Sequence, residues 1–242
     1  MIPKIIHYCW FGRGEKSDKV VRCINTWHKI MPEYEIIEWN EDNFNVGKCL
    51  FSSQAYELKK YAFVSDYARL AVLEEYGGIY FDVDMEAIKT LDECLDKKCF
   101  LGYEGENGGI ATCVIGAEPH DSTIQMIKAH YESMPFVLEN GENNEKPNTV
   151  VIEELLRNRN GINFDWKEKQ IGNIYFYDWH VFHPLSLVTG KLSINETTLA
   201  IHRHTLLWVS NKTKIIRFIR MKIFIPLFGE KFYVKIKKRL RR

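Results

Sequence analysis

Apolar and polar positions alternate along most of the chain in a way that predicts strands and helices in turn. β-prone apolar runs predict strands at 2–10, 34–39, 79–81, 99–103 and 110–116, and apolar residues at helical spacing predict helices at 17–31, 61–76, 122–133 and 149–157. The polar, turn-rich segment 134–148 is predicted to be a loop. Strands that alternate with helices predict an α/β sheet with helices on both faces.

The strand predicted at 79–81 leads directly into two carboxylates, Asp82 and Asp84. Because alternate side chains of a strand point to the same face, we expect both carboxylates to project together. Two carboxylates at this spacing can share one hard divalent cation, either Mg²⁺ or Mn²⁺. The alternative is a solvated turn after a strand, since Asp-x-Asp often occurs by chance.

The helix predicted at 61–76 has an apolar face and carries Asp66 and Arg69 at i, i+3 spacing. On a protein surface such a pair is a salt bridge worth about 0.5 kcal/mol. However, the helix runs through Gly77 and Gly78 into the carboxylate strand. The pair can therefore reach the same end of the sheet as Asp82, which is where open α/β sheets bind ligands.

These segments resemble a known family. Phe63-Val-Ser-Asp-Tyr-Ala-Arg69 followed by Tyr76-Gly-Gly-Ile-Tyr-Phe-Asp-Val-Asp84 closely resembles the DXD sugar-binding region of family 32 glycosyltransferases, which include Golgi-anchored and capsular-polysaccharide enzymes. The opening segment 2–12, with Trp10 near its end, and the segment 200–208 are also similar to that family. Together the three motifs extend over roughly residues 1–210.

The resemblance implies a GT-A-type nucleotide-diphospho-sugar transferase fold, with residues 1–211 as one Rossmann-like domain. It also implies metal-dependent transfer of a hexose with retention of configuration and no assigned enzyme nucleophile. The resemblance implies that Asp82 and Asp84 bind the metal and that Trp10 stacks on the base. It also implies that Tyr80 borders the nucleotide and that Asp66 and Arg69 bind sugar hydroxyls.

In the resembling enzymes a histidine a few residues before a tryptophan returns to the metal. His202, six residues before Trp208, matches that position best, but Arg203 stands where the family usually has a second histidine, so His204 stays an alternative. A histidine ligand favours Mn²⁺ over Mg²⁺. Glu104 and Asn107 lie on a Gly-rich loop that either reaches the acceptor or is an ordinary surface turn.

The resemblance leaves the substrates open. We expect a UDP-sugar donor, with GDP-mannose as the alternative, and a glycan or lipid-linked acceptor in surface polysaccharide synthesis. A different class of function, a non-catalytic binding or scaffold protein, predicts loss of a carboxylate or of the Asp66/Arg69 pair, and all four residues are present. A phosphohydrolase with a nucleophilic aspartate near its first strand is disfavoured, because residues 2–12 contain no acid.

The six cysteines show neither C-x-x-C pairing nor zinc-ligand spacing, which is typical of reduced thiols in a cytosolic protein. Neither a signal peptide nor an apolar run of the ~20 residues needed for a membrane span is found. We therefore expect a cytoplasmic protein.

The net charge of +1 hides an asymmetry between the body and the C-terminal tail. Residues 212–242 contain twelve bases and one acid, whereas residues 1–211 contain 21 bases and 31 acids. Phe232, Ile236 and Leu240 form an apolar stripe among the bases. Such a basic amphipathic segment is expected to associate peripherally with the anionic inner face of a membrane. Packing on the acidic body is an alternative, and nucleic acid is not expected because no binding motif accompanies the charge.

Overall fold

The computed structural model describes residues 1–105, 108–205, 215–216, 218–220, 223 and 225–229. The strands are β1 (Ile5–Cys9), β2 (Glu35–Trp39), β3 (Gly78–Phe81), β4 (Met85–Ala87), β5 (Cys99–Tyr103), β6 (Ile110–Ala117), β7 (Lys169–Ile171), β8 (Ile174–Tyr177) and β9 (Ala200–His202). The α-helices are α1 (Asp18–Ile30), α2 (Leu50–Glu57), α3 (Tyr61–Tyr76), α4 (Ser122–Glu132), α5 (Asn148–Asn160), α6 (Trp179–Phe182) and α7 (Ile225–Phe228).

A seven-stranded mixed sheet forms the centre, in the order β2-β1-β3-β6-β5-β8-β7. β1 pairs in parallel with β2 and β3, and β8 pairs in parallel with β5. β6 is antiparallel to both of its neighbours, β3 and β5. A separate two-stranded sheet pairs β4 with β9, and this small sheet lies directly after the Asp-x-Asp segment in the chain.

Apolar side chains cover both faces of the large sheet, because alternate residues of each strand point to opposite sides. On β3, Ile79 and Phe81 pack with Trp27 of α1, whereas Tyr80 faces the opposite cluster, which is built on α3. The ring of Trp27 meets that of Phe81 edge to face at 5.4 Å. Helices therefore cover both faces of an α/β sheet, as the sequence predicted.

The predicted elements at 61–76, 99–103, 110–116 and 122–133 are confirmed to within a residue. The amphipathic description of α3 is wrong: every residue from Val64 to Leu73 is buried. Its polar positions are enclosed because α2 and α4 pack against it in addition to the sheet. The sequence did not predict α2, β7, β8 or α6.

Most of the predicted tail lies outside the described residues, including the stripe Phe232, Ile236 and Leu240. In the part of the chain that the structure describes, no helix combines the length and the apolar character needed to cross a membrane.

Candidate sugar-transfer site

The sequence predicted that Asp82 and Asp84 lie at the end of the strand. In the structure they lie in a turn between β3 and β4. β3 ends at Phe81, because the chain turns so that the amide of Met85 donates to the carbonyl of Asp82 at 3.0 Å. The amide of Asp82 donates to the carbonyl of Cys113 at 2.8 Å, which anchors the turn to β6. The solvated-turn alternative does not hold for Asp84, which is buried at 7% exposure.

The small sheet brings His202 to this turn from far along the chain. Met85 of β4 lies opposite His202 of β9, and the amide of Arg203 donates to the carbonyl of Asp84 at 3.0 Å. As a result, His202 Nε2 lies 3.0 Å from Asp84 Oδ1. The amide and the hydroxyl of Thr205 donate to Asp84 Oδ2 at 2.7 and 2.9 Å.

Asp82, Asp84 and His202 each offer one ligand atom, and these three atoms all lie within 4.8 Å of one another. Two carboxylates and one imidazole fit a divalent cation, and the imidazole suits Mn²⁺ better than Mg²⁺. The geometry places His202 in this group and His204 beside it, which favours His202 as the histidine ligand.

Charge pairing dominates the electrostatics of the turn. Burial alone raises the pKa of Asp84, but the charge and hydrogen bond of His202 and the hydrogen bonds of Thr205 outweigh it, so this pKa is below its ordinary value. Burial lowers the pKa of His202, but the charge of Asp84 and contact with Cys113 raise it well above its ordinary value. Asp84 and His202 therefore form an ion pair at the turn.

The pair Asp66 and Arg69 is buried, so the surface-salt-bridge alternative is wrong. Arg69 Nη2 lies 3.0 Å from Asp66 Oδ1, and the two side chains are only 7% and 12% exposed. Arg69 Nη1 lies 3.3 Å from Asp82 Oδ1, so the arginine joins α3 to the Asp-x-Asp turn. The guanidinium also lies 4.3 Å from the ring centroid of Tyr80, whose hydroxyl donates to Asp82 Oδ1 at 3.0 Å.

Neutral groups that the sequence did not indicate complete this network. The register of β5 and β6 shifts between Leu101 and Gly102, and Thr112 lies in the resulting irregularity of β6. The carbonyl of Thr112 accepts from Arg69 Nη1 at 2.9 Å. Asn148, at the start of α5, donates to Asp66 Oδ1 at 2.7 Å. The only signal for Asn148 was its place after Pro147 in a predicted loop.

Burial raises the pKa of Asp66 to about 6, because the opposing charge of Arg69 offsets only part of the desolvation and Asp82 adds repulsion. The carboxyl of Asp66 therefore titrates close to neutral pH. In the same network, burial raises the pKa of Tyr80 well above its ordinary value, so its hydroxyl stays protonated and can donate to Asp82.

The two groups of residues line one cavity of about 360 Å³. Its wall includes the predicted site residues Asp66, Arg69, Tyr80, Asp82, Asp84, His202 and His204, together with Thr112, Asn148 and Thr205. Tyr80 therefore borders the cavity. The structure brings together seven of the residues that the sequence singled out, from three separate regions of the chain: α3, β3 with the turn after it, and β9 with the residues after it.

Other predicted site residues are not in this cavity or are not described. Trp10 follows β1, the strand next to β3, but among the described residues it does not line the cavity, and its Nε1 donates to the carbonyl of Gly14 at 2.6 Å. Glu104 is outside the described cavity wall too, and its amide donates to the carbonyl of Gly109 at 2.9 Å. Asn107 and Trp208 lie outside the described residues.

A mixed α/β sheet with an Asp-x-Asp turn after a central strand, beside a cavity lined by buried charges, defines a GT-A-type glycosyltransferase. The family described as "Glycosyltransferase sugar-binding region containing DXD motif" matches residues 17–101, which include α3, β3 and the Asp-x-Asp turn. The match includes the turn that carries Asp82 and Asp84, so the chain is a glycosyltransferase whose sugar-binding region is similar to that of this family.

Several known proteins are similar to this chain. An uncharacterized glycosyltransferase of Acanthamoeba polyphaga mimivirus is 29% identical over 204 residues, which are 79% of this chain and 76% of the viral protein. Inositol phosphoceramide mannosyltransferase 3 of Schizosaccharomyces pombe is 27% identical over 136 residues, 52% of this chain and 36% of that protein. A mannosyl phosphorylinositol ceramide synthase of Saccharomyces cerevisiae is 27% identical, over 57% of this chain and 38% of that protein.

The chain thus spans less than two fifths of the length of these two yeast relatives. Among solved structures, the PaToxG glycosyltransferase is 18% identical, with a TM-score of 0.48 over 65% of this chain and 70% of that one. A glycosyltransferase involved in glycosylation of the major capsid of PBCV-1 is 10% identical, with a TM-score of 0.45 over 91% of this chain and all of that one.

Proposed function

We propose that this glycosyltransferase transfers a hexose from a nucleotide diphosphate sugar to a glycan or lipid-linked acceptor, with a divalent cation and with retention of configuration. The observation that carries the proposal is the convergence of Asp82, Asp84 and His202 on one cavity with the buried pair Asp66 and Arg69. A purely structural role does not account for so many charges beside a cavity, because burying each of them costs several kcal/mol.

Asp82, Asp84 and His202 would hold the cation, with Mn²⁺ favoured by the imidazole. When bound, the cation supplies charge neutralisation for the leaving diphosphate. Arg69 holds Asp82 in place by their contact at 3.3 Å. Thr205 orients Asp84 through two hydrogen bonds to Oδ2.

Asp66 and Arg69 are proposed to bind sugar hydroxyls. Both side chains line the cavity, and their partners within the protein fix their orientation before any substrate enters. A fixed carboxylate and guanidinium can accept from and donate to vicinal hydroxyls without a further loss of side-chain entropy. Hydrogen bonds of this kind also distinguish one hexose from another.

The donor is proposed to be a UDP-hexose or GDP-mannose. The sequence favoured a UDP-sugar, whereas one relative is named as a mannosyltransferase and another as a mannosyl phosphorylinositol ceramide synthase, which favours mannose. A thermal-shift panel of UDP- and GDP-sugars with Mn²⁺ separates the two, because a ligand that binds only the native state raises its stability. A shift with GDP-mannose alone would exclude the UDP preference.

The acceptor is proposed to carry a phosphate or diphosphate. A second cavity of about 580 Å³ adjoins the first at His204 and Thr205, and Lys19, Arg22 and Arg203 lie in its wall. Arg203 is paired with Glu86 there, so Lys19 and Arg22 are the bases assigned to the phosphate. Undecaprenyl-diphosphate glycans of surface polysaccharide synthesis have this chemistry, and so do inositol phosphoceramides, after which three relatives are named.

Attachment to the inner face of an anionic membrane is proposed for the segment 212–242. Its twelve bases supply the charge, and each contributes up to about 1 kcal/mol near anionic lipid. Among its described residues, Ile215, Phe218, Ile223 and Leu227 are 51–71% exposed. Exposed apolar side chains beside many bases match the composition of a membrane-interface segment.

The metal-dependent reaction is tested by donor hydrolysis with Mn²⁺, with EDTA, and in the Asp84→Asn variant. We expect EDTA to abolish turnover and Asp84→Asn to lower it more than about 100-fold. Mutation of a residue that only hydrogen-bonds to a metal ligand already lowers metal affinity or activity by about 10–100-fold. Asp96→Asn is the control, because Asp96 is 68% exposed on the surface. Turnover that survives both EDTA and Asp84→Asn would exclude the metal-dependent mechanism.

A further inference from the structure

A second group of metal-binding side chains lies next to the Asp-x-Asp turn. It consists of Cys113 on β6, His183 directly after α6, and His202 on β9. The Sγ of Cys113 lies 2.9 Å from His183 Nε2, and His202 Nδ1 lies 3.2 Å from the same nitrogen. One ligand atom from each of the three side chains lies within 4.8 Å of the other two.

The fold builds this group from three distant segments. Cys113 follows Thr112 in the irregular part of β6, and its carbonyl also receives the amide of Asp82. The amide of Leu199, directly before β9, donates to the carbonyl of Val181 in α6 at 3.0 Å. Cys113 and His183 are 3% and 5% exposed, so both are enclosed by protein.

The donor atoms of this group differ in kind from those of the carboxylate group. A thiolate and two imidazoles are the soft and intermediate ligands that zinc prefers, whereas carboxylates suit Mn²⁺ and Mg²⁺. We propose that Cys113, His183 and His202 form a second metal site that takes Zn²⁺, separate from the Asp82/Asp84 site but sharing His202 with it.

The proton balance of this binding is simple. The thiol of Cys113 loses its proton to solvent when sulfur bonds to the metal, and the imidazolium of His202 loses the proton on Nδ1, whereas His183 binds through a ring lone pair. His202 lines the donor cavity, which gives the cation a route to the site. Three protein ligands leave a fourth tetrahedral position for water.

The shared histidine couples the two sites. A neutral imidazole has one lone pair, so it can bind one metal while its other nitrogen carries a proton. His202 Nε2 faces Asp84 at 3.0 Å and Nδ1 faces His183 at 3.2 Å. Zinc on Nδ1 leaves a proton on Nε2, which then donates to Asp84, so Nε2 is no longer available to a cation at Asp82 and Asp84. Zinc therefore antagonises the other cation; this consequence rests on the proposed function, whereas zinc binding itself does not.

Cobalt(II) is the probe for the thiolate site, because Co²⁺ bound to a thiolate shows a near-ultraviolet charge-transfer band and Zn²⁺ removes it by competition. The full-length, metal-free protein is titrated with Co²⁺ and then with Zn²⁺. We expect the band in the wild type and in Cys94→Ser, which changes another buried thiol, and its loss in Cys113→Ser. The absence of a band in the wild type overturns the proposal without reference to any variant.

His183→Gln is the second variant, and it should weaken Co²⁺ binding by about 10-fold or more while Cys113 still gives a band. A band that persists unchanged in Cys113→Ser also overturns the site. Thermal melts of each metal-free variant show whether it is folded before the titration.

Antagonism is measured by the electron paramagnetic resonance signal of free Mn²⁺. Zinc should release bound Mn²⁺ from the wild type at concentrations about 10-fold lower than from Cys113→Ser, where zinc can act only at the carboxylates. Equal release from both proteins overturns the coupling through His202. Failure of Mn²⁺ to bind at all, with the cobalt band still present, contradicts the proposed function and supports the thiolate site.

Discussion

Arg69 has the densest set of contacts at the candidate site. Its guanidinium reaches two carboxylates, the carbonyls of Ser65 and Thr112, and the face of the Tyr80 ring. A planar fork with five N–H donors can satisfy these partners together, whereas an ammonium cannot. A buried charge is tolerated only when it is paired in this way. The residue is therefore both a support of the fold and part of the cavity wall.

Arg69→Lys should lower the free energy of unfolding by about 3 kcal/mol, because the lysine leaves buried acceptors without donors. Urea unfolding measures the change. Arg13→Lys is the matched control, since Arg13 forms a surface ion pair with Asp42 and is 62% exposed. That control should change stability by less than about 0.5 kcal/mol. Equal losses in the two variants would contradict the role of the Arg69 fork.

Asp66→Asn should make stability less dependent on pH. The folded pKa of Asp66 is raised to about 6 from an ordinary value of 3.8, so the native state binds more protons between these values and the wild type loses stability as the pH rises from 4 to 6. This difference between the folded and the ordinary pKa of Asp66 corresponds to about 3 kcal/mol in the free energy of unfolding. An asparagine carries no such charge and its oxygen can still accept from Asn148.

Urea unfolding of both proteins at pH 4, 5, 6 and 7 checks this. The free energy of unfolding of the variant should increase relative to that of the wild type as the pH rises. The variant should also lose turnover. Stability curves that run parallel across this range would show that the carboxyl of Asp66 does not titrate there.

At the scale of elements, two glycines join the helix that carries Asp66 and Arg69 to the strand that leads into Asp82. Gly77 has φ +64 and Gly78 has φ +94, both in the region that favours glycine. A Cβ on Gly77 would lie 2.6 Å from Pro119 Cδ, and one on Gly78 would lie 2.8 Å from the carbonyl oxygen of Ile5. The sharp turn is therefore possible only without side chains, and it sets the position of α3 against the turn.

Gly77→Ala should lower the free energy of unfolding by about 3 kcal/mol or more, because both the backbone conformation and the clash with Pro119 disfavour a side chain there. Gly161→Ala is the control: Gly161 has φ +63 and open space around the added methyl group, so about 1 kcal/mol is expected. Thermal or urea unfolding gives both values. A cost at Gly77 no larger than at Gly161 would show that the connection tolerates a side chain.

At the scale of the whole molecule, two apolar clusters on opposite faces of one sheet hold the site in place. The Asp-x-Asp turn is fixed to β6 on one side and to β9 on the other, so residues far apart in sequence meet at one end of the sheet. The charge is distributed unevenly over the same molecule, with acids in excess before residue 212 and bases after it. On the proposed membrane attachment, this asymmetry would turn the basic segment toward an anionic surface.

Binding to vesicles with anionic lipid should weaken steeply with salt, because the attraction is screened over about 8–10 Å at physiological ionic strength. Sedimentation of the full-length protein with anionic vesicles, at low and at high salt, measures this. Vesicles of zwitterionic lipid are the control, and deletion of 212–242 should release the protein. If the full-length protein does not sediment with anionic vesicles at low salt, the proposed membrane association is wrong.

Local patterns determined much of what the sequence could predict. Helix α3, the following glycines, the strand β3 and the position of Asp-x-Asp were all predicted, because side-chain periodicity and glycine placement act over a few residues. Elements without such a pattern, such as α2 and the short strands β7 and β8, were missed. Their identity depends on packing against the sheet and not on their own composition.

Only the tertiary structure decided which residues meet. Asp66 and Asn148 are 82 positions apart, and Asp84 and Thr205 are 121 apart, yet each pair is hydrogen-bonded. The pairing of β4 with β9 places His202, and not His204, against Asp84. Burial also depended on the tertiary structure. The i, i+3 spacing of Asp66 and Arg69 is the same whether the pair lies on a surface or in a core, and this pair is buried because other elements pack around α3. Sequence determines which groups are present, whereas their partners and burial depend on long-range packing.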